Sequence, residues 1–335
     1  MILYVIEQGA VLTKEAGKIA VKKEGRNIGE TPIKNIEKIN ILGNIGLTTP
    51  LISYLLENNI EVTFMTEYGR YRGRLYKDEY KNIKLRLKQY ERFYEEKFRI
   101  KTAKLIVEGK LKNSYDFIEK KSRERLKGEM GKSLAGIRKA IESLEKSETI
   151  EQIRGFEGIG SRFYFEGFKK VIKNEKFYFE RREPHPPKDM MNSLLSLGYT
   201  FLYNEVLGAM NSVGLDPYFG NLHEPEMGKR ALLFDMVEEY RAVIVDEFIL
   251  RAVNRNEINE SDFEKDEEGI LKMTREGMAK FIEKYENSMK NKYINHIDGE
   301  ENYIRTIFEK QSRMYARYVT GEEEIYTPFR LSGKG

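Results

Sequence analysis

The sequence predicts an α+β protein, with a β-rich N-terminal domain over residues 1–80 followed by a larger all-α domain over 81–335. The first eighty or so residues hold β-branched and aromatic runs punctuated by turn residues, the composition that suits a pleated, half-buried surface. From about Tyr76 the chain goes long stretches without Gly or Pro and places apolar residues at helical spacing. The two kinds of segment are segregated along the chain rather than alternating, which argues against a doubly wound β/α fold. The 335 residues also exceed the roughly 250–300 at which a single hydrophobic core stops growing, so two domains are expected.

Strands are predicted at ILYVIEQ, KIAVKKE, KINIL and IEVTFM, with Gly9, Gly29, Gly43, Gly46, Gly69 and Gly73 as turn residues between the runs. One short helix is expected in GLTTPLISYLLENN, where Thr48 or Thr49 stands as N-cap before apolar residues at Leu51, Ile52, Leu55 and Leu56. It would pack on a small sheet. The polar, Lys-rich run 76–84 reads as a linker or the start of a long amphipathic helix with a stripe through Ile83, Leu87, Tyr90 and Phe93. Helices follow, with breaks expected at 155–160, 184–187 and 214–225 and near Gly269. The chain has no internal repeat of fixed period and no low-complexity tract.

Hydrophobic residues make up 40% and charged residues 33% of the chain, and the mean hydropathy is −0.60, values that fit a soluble globular protein. A net charge of +4 does not by itself point to nucleic acid, so local clustering must carry that argument. No run approaches the roughly 18–20 consecutive apolar residues of a membrane span, and MILYVIEQGAVLTKE lacks the basic start and cleavage site of a secretory leader. A cytoplasmic protein is expected. Cysteine is absent and only 3 histidines are present, which excludes disulfides, thiolate nucleophiles and Cys-based zinc sites and leaves carboxylates and imidazoles as metal ligands.

Three polar islands stand out. In GLDPYFGNLHEPEMGKRALLFDMVEEYRAVIVDEFIL, His223 sits in a Gly/Pro-bounded turn, and a helix starting near Gly228 or Lys229 carries Asp235 and Glu238 on one face. That pair is embedded among Leu232, Leu233, Phe234, Val237, Ile244 and Val245, and buried carboxylates need a cationic partner or a metal. Arg241 could be the partner. A carboxylate and imidazole set without thiolate suits Mg²⁺ or Mn²⁺, and such an ion can polarise a phosphoryl oxygen and activate a hydroxyl or water. The second island, IRGFEGIGSRFYFEGFKKVI, places Glu157 among glycines, either as a ligand or as an acidic residue favoured by a helix N-terminus. The third, ERREPHPPKDMMNSLLSLGYTFLYN, has a basic loop of Arg181, Arg182, His185 and Lys188. Asp189 then caps a helix striped by Met191, Leu194, Leu195, Leu197 and Leu202. His185 and His296 read as loop or structural residues rather than ligands.

Taken in order, ILGNIGLTT, EYGRYRGRL, RGFEGIGSRFYF, PPKDMMNSLLSLGYTFLYN, GLDPYFGNLHEP, LLFDMVEEYRAVIVD, KMTREGMAKFIEKYE and IYTPFR resemble the first of the two universal CRISPR adaptation proteins, the metal-dependent endonuclease and spacer integrase. The resemblance spans nearly the whole chain. It implies a metal site, binding Mn²⁺ or Mg²⁺, formed by Glu157, His223 and Glu238, with Asp235 beside Glu238 on the same face; some relatives carry Asp where this chain has Glu238. It further implies an N-terminal domain that forms a homodimer, an all-α catalytic domain, and assembly with the second, smaller adaptation protein on double-stranded spacer DNA and a CRISPR repeat. The reaction would be transesterification, in which a spacer 3′-hydroxyl attacks the repeat phosphate. Position alone puts Tyr164 near the cut strand and makes Arg162, Arg181, Arg182 and Lys188 candidates for phosphate contacts.

The rival readings are a non-catalytic DNA-binding scaffold, a purely structural two-domain interaction protein and a di-iron carboxylate bundle. The last would need Glu-x-x-His pairs on two helices, which this sequence lacks.

Overall fold

The computed structural model describes residues 1–77, 82–125, 129–183, 187–265, 271–295 and 297–330. The chain divides into two compact units, Met1–Glu79 with Ser261–Ile282, and Tyr80–Glu260 with Glu283–Gly335. The β-rich part precedes the mostly helical part, as the composition shift requires.

In the first unit, β1 (Ile2–Val5), β2 (Val11–Glu15), β3 (Lys18–Lys23), β4 (Arg26–Pro32), β5 (Lys38–Leu42), β6 (Gly46–Leu47), α1 (Thr49–Glu57), β7 (Glu61–Met65) and β8 (Tyr71–Leu75) follow one another. They form two four-stranded sheets, ordered β1-β5-β7-β8 and β4-β3-β2-β6. The first has β1, β5 and β7 parallel with β8 antiparallel at its edge. The second is a β2-β3-β4 meander with β6 parallel to β2. Leu12, Ile19, Ile39, Ile41, Leu51, Leu55 and Val62 meet in one fully buried core. The Gln8 amide joins the sheets: its Nε2 donates to Leu42 O at 2.9 Å and its Oε1 accepts from Asn44 N at 2.8 Å.

All four expected strands are present, and Thr48 is the N-cap of α1, although its side chain accepts no capping bond. The sequence pattern did not reveal β2, β4, β6 or β8. Strands β2 and β4 are largely exposed, so neither shows the period-two burial that marks a strand. A cut near residue 80 also overlooks Ser261–Ile282, which holds the antiparallel pair β9 (Phe263–Lys265) and β10 (Leu271–Met273) and the first turns of α9 (Arg275–Met289). Arg275 pairs with Glu7, and Lys272 Nζ lies 4.3 Å from the Tyr68 ring centroid.

The second unit holds α2 (Ile83–Tyr94), α3 (Glu96–Arg125), α4 (Gly131–Leu144), α5 (Ile150–Val171), α6 (Met190–Val213), α7 (Ala231–Val237), a π-helical stretch Arg241–Asp246, α8 (Glu247–Asn254), the hairpin of β11 (Lys292–Ile294) and β12 (Glu301–Tyr303), and α10 (Ile304–Thr320). Asp189 caps α6 through Asn192 N at 2.7 Å, and the five apolar positions expected along α6 are buried. Gly214, with φ of 92°, ends that helix.

The break expected at 155–160 does not occur, because α5 runs through it without interruption. Gly160 serves packing: a Cβ there would stand 2.4 Å from Leu111 Cδ2 and 3.4 Å from Ala140 Cβ, so its absence lets α3 and α4 approach. The stripe expected on α2 is also rotated. Ile83 and Leu87 are exposed, and Leu85 and Gln89 are buried. The buried face is polar in part because the Gln89 amide bonds both to Asp216 O at 2.7 Å and to Asp216 N at 3.0 Å. His185, His296 and Gly269 lie outside the described residues.

Truncating the fully buried Leu55 to Ala removes side-chain contacts where the sheets meet α1. Leu55→Ala is expected to cost about 2–5 kcal/mol in the first unit's transition in urea; a cost below about 1 kcal/mol would show that the site collapses freely.

Candidate metal centre

The turn carrying His223 is folded back onto α7 by one buried carboxylate. Asp235 is fully buried and accepts from the backbone N–H of Asn221, of Leu222 at 3.0 Å and of His223 at 3.0 Å, and from His223 Nδ1 at 2.7 Å. A carboxylate can only accept, so Nδ1 carries a proton, and in the neutral imidazole Nε2 keeps its lone pair. Nε2 has no hydrogen bond to a described residue. Gly220 makes the return possible, since a Cβ there would be 2.7 Å from the Ala231 carbonyl carbon. Pro217 O accepts from Leu232 N and Leu233 N at 3.0 and 3.3 Å, satisfying the start of α7. Arg154 grips the turn from α5 by donating from Nε and an η nitrogen to Leu222 O at 2.9 and 2.6 Å.

Glu157 lies in α5 and Glu238 at the end of α7, and Lys110 of α3 bridges them. Its Nζ contacts Glu157 Oε1 and stands 2.6 Å from Glu238 Oε2. Arg241 holds the other oxygen of Glu238 at 3.0 Å, and the Ser161 hydroxyl donates to Glu157 Oε1 at 2.8 Å. Burial pushes the Glu157 carboxyl up, but the charge and hydrogen bond of Lys110, with Ser161, outweigh it and hold the pKa at about 2. Glu238 is likewise lowered: burial opposes ionisation, and the charges of Arg241 and Lys110, with a smaller one from His223, overcome it. The two glutamates are therefore brought together, and His223 stands within electrostatic reach of Glu238.

Among the described residues no three His, Asp or Glu side chains are drawn close enough to hold one ion as they stand. Lys110 and Arg241 already occupy both oxygens of Glu238. The donor chemistry nonetheless suits a divalent cation. Glu238 Oε2 is buried and lacks a well-formed hydrogen bond despite its nearness to Lys110. Lys110 shows that a positive charge is stable between the glutamates. His223 presents an oriented nitrogen, fixed from behind by a carboxylate in the way that ligating imidazoles are usually fixed. Asp235 thus orients His223, and its own oxygens are spent on four donors.

Tyr164 is buried in the core of the unit, and its hydroxyl donates to Asp246 Oδ2 at 2.6 Å while Tyr199 donates to Oδ1 at 2.8 Å. It cannot touch a strand from there. Arg182 is turned inward, donating to Asn192 Oδ1 at 2.8 Å and Ser196 Oγ at 3.0 Å. Arg181 and Lys188 are exposed beside Glu183. Arg162 is exposed over the Phe163 ring.

Comparison with known proteins identifies the family. The family model "CRISPR associated protein Cas1" matches residues 3–287. The chain belongs to the Cas1 family. It is 31% identical over 332 residues to a protein of Thermus thermophilus named CRISPR-associated endonuclease Cas1 3, covering 98% of this chain and 97% of that one. A Cas1 protein structure from Thermotoga maritima superposes with a TM-score of 0.81 at 26% identity, over 96% of this chain and 97% of the other. A casposase bound to integration product superposes with a TM-score of 0.83 at 26% identity, over 97% and 92% of the two chains.

Within this Cas1 chain no local pattern singles out Lys110, one of many lysines in a long charged helix, or Arg154 and Ser161. Asp246 was visible only as an acidic residue in an apolar run. Its partners come from α5 and α6, and only the packing of those helices reveals them.

Asp235→Asn removes acceptor capacity under the turn and is expected to cost about 1–3 kcal/mol and to weaken divalent-metal binding about 10–100-fold. Calorimetric titration with Mn²⁺ would show it, and unchanged affinity would mean that His223 is not held by Asp235 in solution. Burial pushes Asp246 from 3.8 up to about 6, only partly offset by Tyr164 and Tyr199. A carboxyl raised on folding stabilises at low pH and loses that contribution as pH rises through its folded value. The stability of the protein relative to Asp246→Asn should therefore fall between about pH 4 and about pH 6 and then level off; denaturant midpoints that differ by the same amount at every pH would contradict this.

Proposed function

We propose that this Cas1 protein is a metal-dependent DNA endonuclease and integrase that inserts short spacers into a CRISPR array by transesterification, using Mn²⁺ or Mg²⁺ at Glu157, Glu238 and His223. The observation that carries the reading is the meeting of two carboxylates, one from α5 and one from α7, around a single positive charge, with an imidazole oriented nearby. A divalent ion there supplies electrophilic polarisation of a phosphodiester and activation of the attacking hydroxyl.

The chain's own residues account for the rest. Glu157, kept ionised by Lys110 and Ser161, and Glu238, kept ionised by Arg241 and Lys110, stay available as anionic ligands at neutral pH. Asp235 fixes the imidazole tautomer, and Arg154 fixes the turn. Glu238 is buried, which strengthens the electrostatic interactions that it makes. Water in place of a 3′-hydroxyl gives strand cutting. The name of the Thermus relative and the bound product of the casposase support cutting and joining of DNA. The further proposals are homodimerisation, assembly with the second, smaller adaptation protein on double-stranded DNA, and a cytoplasmic location. No helix among the described residues is long and apolar enough to cross a membrane. Arg162, Arg181 and Lys188 are proposed to meet phosphates, whereas Arg182 contributes by holding α6.

A non-catalytic DNA-binding scaffold is the alternative, favoured by the ion pairs that already neutralise both glutamates. A strand-transfer assay with a labelled short duplex and a repeat-bearing plasmid separates the two. With Mn²⁺ the wild type should join strands, and EDTA, Glu157→Gln and His223→Ala should each reduce joining by roughly 100-fold or more while DNA binding persists. Joining that survives EDTA or Glu157→Gln would exclude this centre, and binding with no joining in the wild type would favour the scaffold.

A further inference from the structure

A second polar site lies in the helical unit, where no expected residue falls. A cavity of about 500 Å³ opens between the C-terminal parts of α3, α5 and α8, lined by Lys120, Lys121, Lys170, Lys173, Arg251 and Arg255, with Glu247 as the one carboxylate among its lining residues. This concentration contrasts with a whole-chain charge of only +4.

Cations at helix C-termini are ordinarily explained by the helix dipole, which is worth roughly half a negative charge per helix end. Three helix ends and one carboxylate offset roughly two to three positive charges, and six are present. Part of the set is already engaged. Lys121 pairs with Glu247 at 3.0 Å, Lys170 donates to Glu129 O at 2.6 Å, and Arg255 is 4.0 Å from Glu257. Lys120, Lys173 and Arg251 have no carboxylate partner among the described residues. The wall is also fixed: Asn254 accepts from Lys173 N at 2.7 Å and donates to Val171 O at 2.9 Å, locking the end of α5 to α8.

The same three stretches of chain carry the metal centre further back. Lys121 follows Lys110 by eleven residues on α3, and Lys170 follows Glu157 by thirteen on α5, which is about 16–20 Å along a helix. That interval is filled by the packed rings of Phe117, Tyr164 and Phe168, so the cavity is separate from the centre. At about 3.4 Å per nucleotide along one strand, the gap corresponds to roughly five or six nucleotides.

We propose that this cavity binds backbone phosphates of a DNA duplex away from the reacting phosphate, an inference that rests on the reading of the chain as a DNA enzyme. The shared chemistry is a phosphate oxyanion, and a free oligophosphate is the competing source.

The test measures duplex binding by the full chain in EDTA across a salt series, comparing wild type, the triple variant Lys120→Ala, Lys173→Ala, Arg251→Ala, and a control triple, Lys34→Ala, Lys97→Ala, Lys290→Ala, that removes exposed cations elsewhere. The pocket triple should bind about tenfold or more weakly, and its log–log salt slope should be shallower by roughly 2 to 3, near 0.9 per lost phosphate contact. Equal losses in both triples, or an unchanged slope in a pocket variant that melts like wild type, would overturn the proposal. Calorimetric binding of pyrophosphate that the pocket triple loses while its DNA affinity is unchanged would also overturn it, assigning the cavity to a free oligophosphate. Strand joining that persists in Glu157→Gln would instead count against the metal centre and leave the pocket standing.

Discussion

Two carboxylates facing each other in buried ground cannot both remain ionised unless a positive charge stands between them, and the helical unit is organised around that requirement. Glu157 and Glu238 stand 81 positions apart in the chain, and α3 delivers Lys110 to the gap. The cations keep both groups charged without metal, so the carboxylates are ionised before any ion arrives and their charge is balanced by Lys110 and Arg241. The cost is competition, because any incoming divalent ion meets carboxylates that already have a partner.

The packing that enforces this meeting is unusual at one place. After Glu238 the chain continues as a π-helical stretch rather than an α-helix, and such insertions re-aim side chains and free backbone carbonyls. The freed Glu239 carbonyl is taken by Asn113 Nδ2 at 2.7 Å, one turn beyond Lys110 on α3. The same amide nitrogen donates to Phe329 O at 2.8 Å, and the Glu239 carboxyl accepts from Tyr326 OH at 2.8 Å and from Phe329 N. Burial pushes that carboxyl up to about 8, so it is held by neutral donors rather than by an ion pair. Adjacent glutamates thus take opposite roles: Glu238 stays charged at the centre, and Glu239 anchors the chain near its C-terminal end.

Charge is also distributed with more purpose than the bulk balance suggests. The near-neutral total hides a paired interior, where Lys110 and Arg241 are spent on the centre, and a cavity at the ends of α3, α5 and α8 in which Lys120, Lys173 and Arg251 have no carboxylate partner among the described residues. For a polyanionic ligand the second kind of cation matters more, because only charges without protein partners release counterions on binding.

The sequence by itself determined the β-then-α division, the four strands with buried faces, and the cap and stripe of α6, and the order of its motifs pointed by resemblance to Glu157, His223 and Glu238. Each of these rests on local pattern: alternation, helical period, a capping aspartate, or motifs in a characteristic order. Tertiary structure decided the rest. The helical state of 155–160 depended on Gly160 lying against Leu111 and Ala140, and the face of α2 depended on a Gln89 clamp to a loop far along the chain. The burial of Tyr164, the inward turn of Arg182 and the arrival of Lys110 all depend on which helices pack together. A residue's partner across a helix interface is set by packing over many residues, and no spacing along one segment encodes it.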